Sequence, residues 1–333
     1  MGESGWSKRK RQGLKPNFRL MQKVKTLLKG LAIAVSILVL SGIALYQPDI
    51  PIEELKLTYA PAPSQFMTIH GMEVHYRDEG IATDSIPIVL LHGTSASLHT
   101  WEATVQTMKD EHRLLRMDLP AFGLTGPHPK HDYSVNMYVT FLHQFLEEKK
   151  INRCYLVGNS LGGLIAWQYA ATYPDQVEKL ILLDAAGYPR INFKGNLAFQ
   201  LARVPVLKEI LKVITPLSLV RKSVEDVYGD KSKVSNALVE QYRDMACREG
   251  NREALVARLN FKETIDTTLI TTINIPTLVI WGEKDQLILP ADALKFKRDL
   301  PNNETYLLPD IGHVPKEAPE KVIPLINTFL GKR

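Results

Sequence analysis

The sequence predicts a mostly parallel sheet of eight strands, covered by helices on both faces and interrupted by a helical cap after the sixth strand. Three observations predict it. Short apolar runs such as Ile86–Leu91, Arg113–Met117 and Val177–Leu183 alternate with stretches of helical periodicity, as expected for strands buried on both faces. The stretch YLVGNSLGG at 155–163 reads as strand, sharp turn and helix, with Ser160 at the turn. From Tyr188 to about Thr268 the alternation stops and only helical patterns remain.

The elements follow in order. Residues 1–29 hold nine Lys/Arg and one acid, Glu3. Subtracting these from the 41 basic and 36 acidic residues of the whole chain leaves the remainder at a net −3. The positive charge therefore belongs to the tail, and a slightly acidic body argues against a nucleic-acid partner. Gly30–Tyr46, GLAIAVSILVLSGIALY, carries no charge over seventeen residues, about 26 Å of helix and the lower limit for a bilayer core. It predicts a transmembrane anchor, with the basic N-terminus cytoplasmic and the body on the exported side. A cleaved signal peptide is the rival reading, with Ser41-Gly42-Ile43-Ala44 only loosely resembling a cleavage site.

Residues 47–64, rich in proline, read as a stiff spacer. Gln65–His70 and Glu73–Asp78 form a hairpin through Gly71-Met72, and Ile86–Leu91 ends in His92-Gly93-Thr94. Helices are expected at Leu98–Lys109 and Ser134–Lys149, and after the elbow to about Thr172. In the cap, Phe199–Ile214 and Val234–Glu249 have apolar residues at helical spacing. The sheet resumes at Pro276–Trp281 and Thr305–Leu308, and a last helix covers about Glu317–Leu330. The core is thus 65–187 with 269–333, and the cap 188–268. Cys154 and Cys247 have no metal-type spacing and read as buried apolar residues.

Ligands of a parallel sheet bind beyond the carboxyl ends of its strands, so the polar residues there are the candidates. A serine hydroxyl needs a base, and the imidazole that serves as base needs an anion to fix its tautomer. Ser160 is the expected nucleophile. His313, in a glycine-flanked loop after the last strand, is the base, and Asp285, after the Pro276–Trp281 strand, is the acid. Asp184, Glu283 and Asp310 are rival acids, Asp184 foremost because its strand end also faces the site. Leu161 and Thr94 N–H groups would receive the oxyanion. His92 reads as a residue holding that turn. Phe122, Trp101, Phe193 and Phe199 are pocket candidates. No cofactor or metal is expected: His128 and His131 share a loop without a ligand framework.

These pieces, HGTSAS at 92–97, DLPAFGLT at 118–125, GNSLGG at 158–163, WGEKDQLI at 281–288 and IGH at 311–313, resemble the α/β-hydrolase superfamily over roughly residues 65 to 330. Within it the chain is similar to the capped group of serine esterases, monoacylglycerol lipase-like enzymes and carbon–carbon bond hydrolases. The resemblance implies the same roles for Ser160, Asp285, His313, Thr94 and Leu161. Ala121 departs from the glycine usual at its position, so the loop backbone there is expected to differ. Serine at 160, where dehalogenases and epoxide hydrolases place aspartate, argues against those activities. The expected function is a membrane-anchored hydrolase of lipophilic carboxylic esters. Carbon–carbon bond hydrolysis by the same triad and a silent binding protein are the alternatives; the oligomeric state stays open.

Overall fold

A computed structural model describes residues 18–189, 197–313 and 317–331. The chain divides into two units, residues 1–46 and 47–333.

The first unit holds helix α1, Phe18–Leu45. Its first turns carry Arg19, Lys23, Lys25 and Lys29, and Leu27, Leu31, Ile33, Val35, Ile37, Leu40 and Ile43 are exposed. The uncharged part from Gly30 to Leu45 is one residue shorter than the segment expected, because the helix ends before Tyr46. It measures about 24 Å against a bilayer core of about 30 Å. Among the described residues no helix is long and apolar enough to cross a membrane, so the transmembrane helix expected at 30–46 lacks support from the fold.

The second unit begins with a correction. The spacer expected at 47–64 contains helix α2, Ile52–Tyr59, whose Leu55 is buried with Leu124 and Met245. Pro51 ends the extended lead-in and is compatible with a helix start, so the prolines bracket a helix. The segment is part of the body.

The sheet has eight strands: β1 Gln65–Ile69, β2 Met72–Gly80, β3 Ile88–Leu91, β4 Arg113–Met117, β5 Cys154–Asn159, β6 Val177–Leu183, β7 Thr277–Gly282 and β8 Asn303–Leu308. Their order is β1-β2-β4-β3-β5-β6-β7-β8; β2 is antiparallel to both neighbours and every other pairing is parallel. Side chains alternate across a strand, so the unbroken apolar runs serve two cores at once. Ile88 and Leu90 join Val157, Ile181 and Trp101 on one face, while Val89 and Leu91 join Leu156, Leu182 and Phe145 on the other.

Helices α3 Glu102–Met108 and α12 Pro319–Leu330 cover the first face; α4 Val135–Glu148, α5 Leu161–Thr172 and α11 Ala291–Asp299 cover the second. Ser134 caps α4 by accepting from Met137 N–H. Between β6 and β7 the described cap residues form α6 Leu197–Leu201, α7 Pro205–Leu211, α8 Leu217–Glu225, α9 Asn236–Cys247 and α10 Asn251–Asn260. The single helix expected over Phe199–Ile214 is broken in two. Pro205 forces Val204 into extended backbone (φ −85°, ψ 124°) and then opens α7.

The loop after β4 does not differ at Ala121 as expected: the alanine adopts the positive-φ backbone that suits a glycine. Ala121 sits at φ +82° and donates its N–H to Gly126 O at 2.7 Å. Gly123 cannot be replaced in the same way, since a Cβ there would lie 2.1 Å from the Asp118 carboxyl carbon.

Candidate active site

The site is built at the carboxyl ends of β3, β5, β6, β7 and β8. Ser160 sits between β5 and α5 at φ 55°, ψ −114°, a conformation few L-residues adopt. Its neighbours permit that turn only as glycines. A Cβ at Gly158 would approach Gly162 O to 2.2 Å, and one at Gly162 would approach Leu91 O to 2.2 Å. The turn is tied to the next strand, with Ser160 N–H donating to Leu183 O at 3.1 Å and Ala186 N–H donating to Ser160 O at 2.9 Å.

His313 Nδ1 lies 2.7 Å from Asp285 Oδ2, and both side chains are buried. Asp285 Oδ1 accepts from Leu287 N–H at 2.7 Å and Ile288 N–H at 2.9 Å, which fixes the carboxylate plane. With Nδ1 donating to Asp285, Nε2 is left as the basic nitrogen. Nε2 is buried, has no hydrogen-bond partner and belongs to a side chain lining the same cavity as Ser160. The Ser160–His313 bond is thus open in this state; unliganded sites commonly close it when substrate binds.

Thr94 and Leu161 line that cavity beside Ser160. The turn carrying Thr94 is pinned by His92, whose Nδ1 donates to Gly93 O at 2.8 Å while Nε2 accepts from Leu119 N–H at 2.9 Å. Burial holds the His92 imidazole below its ordinary pKa, which suits this neutral structural use.

Three carboxyls had competed for the acid's place. Glu283 is exposed, and Asp310, also exposed, pairs with Lys284 at 2.6 Å. Asp184 is different: it is buried beside Asp285 and accepts Gly282 N–H at 2.9 Å. Burial, and then the charge of Asp285, push its carboxyl well above the usual carboxylate range. Asp184 is thus held toward its neutral form beside Asp285, and it is Asp285 that hydrogen-bonds to the histidine. Asp184, Asp285 and His313 also form a group whose ligand-type atoms all lie within 4.8 Å. Backbone N–H groups and the His313 ring already occupy the Asp285 oxygens, so the group suits proton sharing better than cation binding.

Two further residues hold the histidine loop and carried no signal in the sequence. Asn159 Nδ2 donates to Leu183 O at 3.0 Å and to His313 O at 3.2 Å, joining the elbow to the histidine loop. Buried Glu317 accepts from Gly312 N–H at 2.9 Å and from cap residues Gly229 and Asp230. The cap also holds the loop directly, through His313 N–H donating to Val227 O at 2.7 Å.

The cavity is about 360 Å³ and mainly apolar, lined by Phe199, Leu211, Val220, Leu255, Val256 and Leu259 among others. Of the expected pocket aromatics, Phe199 lines it and Phe193 lies outside the described residues. Trp101 and Phe122 do not line it. Trp101 belongs to the core between α3 and the sheet, and Phe122 packs edge-on against His92.

A sheet of this order, a serine at a glycine-walled elbow and a buried His–Asp pair define the class. The family model for the alpha/beta hydrolase fold matches residues 86–317, and the chain belongs to that family. Among relatives, it is 29% identical over 262 residues to the human monoacylglycerol lipase ABHD6, covering 73% of this chain and 75% of that one. It is 24% identical over 283 residues to a 2-hydroxy-6-oxo-6-(2'-aminophenyl)hexa-2,4-dienoic acid hydrolase of Metapseudomonas resinovorans, covering 81% and 91%. A solved bacterial virulence factor, described as a membrane phospholipase A, superposes with a TM-score of 0.69 at 22% identity, over 93% of this chain and 98% of that one.

Proposed function

We propose that this hydrolase cleaves carboxylic esters of lipophilic character by an acyl-enzyme route. Ser160 Oγ attacks the ester carbonyl as His313 Nε2 takes its proton. Thr94 and Leu161 N–H groups receive the oxyanion, and His313 returns the proton to the departing alcohol. Water then enters, loses a proton to the same imidazole, and releases the acid. Asp285 stays ionised throughout and balances the imidazolium. The observation that carries this reading is an unpartnered His313 Nε2, backed by Asp285, lining one apolar cavity with Ser160.

The apolar lining favours an acyl chain, and the lipase name of the human relative agrees with it. Carbon–carbon bond hydrolysis, the reaction of the Metapseudomonas relative's substrate class, uses the same groups and is the second reading. We further propose that α1 anchors the protein, with the basic tail cytoplasmic and the body exported. Its exposed apolar side chains and basic first turns support this.

The test is turnover of p-nitrophenyl esters of increasing acyl length by the full chain in nonionic detergent. An optimum at medium or long chains, lost in Ser160→Ala, is expected. Turnover that survives Ser160→Ala, or none at any length, would reject the ester reading.

A further inference from the structure

Buried polar atoms without partners cluster around one place. Six such atoms belong to residues lining the cavity: Ser95 Oγ, Thr215 Oγ1, Ser223 Oγ, Arg252 Nη1, Arg258 Nε and His313 Nε2. Buried polar groups are ordinarily paired, because leaving one unpaired costs its full desolvation. His313 has its use in the reaction, and the other five can all donate hydrogen bonds. The charge on the lining is equally one-sided. Arg203, Arg252 and Arg258 contribute to it, and among the described residues no aspartate or glutamate does.

Two of the donors, Arg252 and Thr215, are held by one residue, Gln47. Arg252, only 6% exposed, donates through Nη2 to Gln47 O at 2.8 Å and to Asp49 Oδ1 at 2.6 Å, while Nε reaches the same Asp49 oxygen at 3.2 Å. Gln47 Oε1 accepts from Thr215 N–H at 3.0 Å, so one glutamine holds both residues. The guanidinium bonds use Nε and Nη2, leaving Nη1 unpaired, and Thr215 Oγ1, beside the buried Cys247 thiol, makes no hydrogen bond of normal geometry.

We propose that Arg252 and Thr215 form an oxyanion subsite of the cavity, and that the ester hydrolysed at Ser160 carries a phosphate or carboxylate group. This rests on the ester reading above and specifies its substrate class. Phosphate and carboxylate oxygens accept from guanidinium and hydroxyl donors together, and such charge-assisted bonds are about twice as strong as neutral ones. The apolar lining receives the acyl chain while Arg252 and Thr215 hold the charged part of the molecule. The bond broken remains the ester C–O bond: its acyl carbon passes to Ser160 and then to water, and the anionic alcohol leaves with the proton from His313.

The test compares kcat/KM for three oleoyl esters, of glycerol, glycerol 3-phosphate and glycolate, with the full chain in nonionic micelles. At least one anionic ester is expected to exceed oleoylglycerol by roughly 10- to 100-fold, the worth of one or two charge-assisted bonds. A gain confined to the phosphate ester, or to the glycolate, identifies which oxyanion fits. Arg252→Gln is expected to remove most of that preference, with a far smaller loss on oleoylglycerol, and Thr215→Val to remove part of it. Should Arg252→Gln fail to fold, the wild-type ranking and Thr215→Val decide. Hydrolysis of oleoylglycerol as fast as both anionic esters, or an equal loss on all three in Arg252→Gln, overturns the subsite and leaves the esterase standing. Hydrolysis of none overturns both.

Discussion

Among the described residues, two buried histidine–aspartate pairs have nearly equal length but different surroundings. His313 Nδ1 is 2.7 Å from Asp285, and His75 Nδ1 is 2.8 Å from Asp118. The second pair even has a serine, since His75 Nε2 lies 2.9 Å from Ser64 Oγ. Every group in it is satisfied, however. Ser64 Oγ also accepts from Arg77 Nε, and Asp118 accepts from Leu98 and Leu124 N–H, which holds the loop after β4. Burial opposes ionisation of Asp118, but the His75 charge and hydrogen bond hold its carboxyl well below the usual range. At His313 the outer nitrogen is unpaired and its side chain lines a cavity with a strained serine. A relay is a structural brace when both ends are occupied and a reactive device when one end is left open.

Breaking each histidine separates the two most sharply. His313→Ala is expected to lower kcat by on the order of 10⁴-fold or more with little change in the thermal midpoint. His75→Ala leaves a buried carboxylate without its partner and should cost roughly 3–5 kcal/mol of stability, with kcat per folded molecule kept within about tenfold. Denaturant unfolding and active-site titration of both variants check this; the reverse pattern would assign the reaction to the wrong pair.

The next contrast lies inside the reactive pair. Burial and the neighbouring Asp285 push the Asp184 carboxyl up toward its neutral form, whereas Asp285 is the carboxyl that reaches His313. Asp285→Asn should therefore lower kcat on the order of 10⁴-fold by removing the charge and the tautomer control. Asp184→Asn puts a neutral side chain where burial already disfavours the charge, and its kcat should fall by less than about tenfold. Equal losses in the two variants would mean that the carboxyls share the acid's role.

A smaller effect concerns the brace. Burial lowers the His99 pKa from 6.5 to about 4, and the ring sits against His75. The unfolded chain takes up this proton first as pH falls, so the stability tied to neutral His99 is complete above pH 6.5 and is lost on descent toward pH 4. Thermal midpoints between pH 7.5 and 4 should drop through that window, and His99→Gln should flatten the drop. An unchanged slope in the variant would remove His99 from the account.

Much of this was legible in the sequence because local physics wrote it there. Strands buried on both faces must be continuously apolar, and a strained serine between a strand and a helix needs glycines two residues away on each side. The alternation of strands and helices placed Ser160, Asp285 and His313 after β5, β7 and β8, at the carboxyl edge of one sheet. What could not be read depends on contacts far apart in sequence. Nothing in the proline spacing around α2 reveals that Leu55 packs against Met245. The choice between Asp184 and Asp285 rests on a hydrogen bond that spans from β7 to the loop after β8. The Gln47 that holds both Thr215 and Arg252 lies 168 and 205 residues before them in sequence.

The most direct measurement is the site of fluorophosphonate attachment, mapped by peptide mass on the intact chain. One adduct is expected, on the peptide bearing Ser160, absent in Ser160→Ala and strongly slowed in His313→Ala. An adduct on Ser64, or no adduct while esters are still turned over, would contradict it.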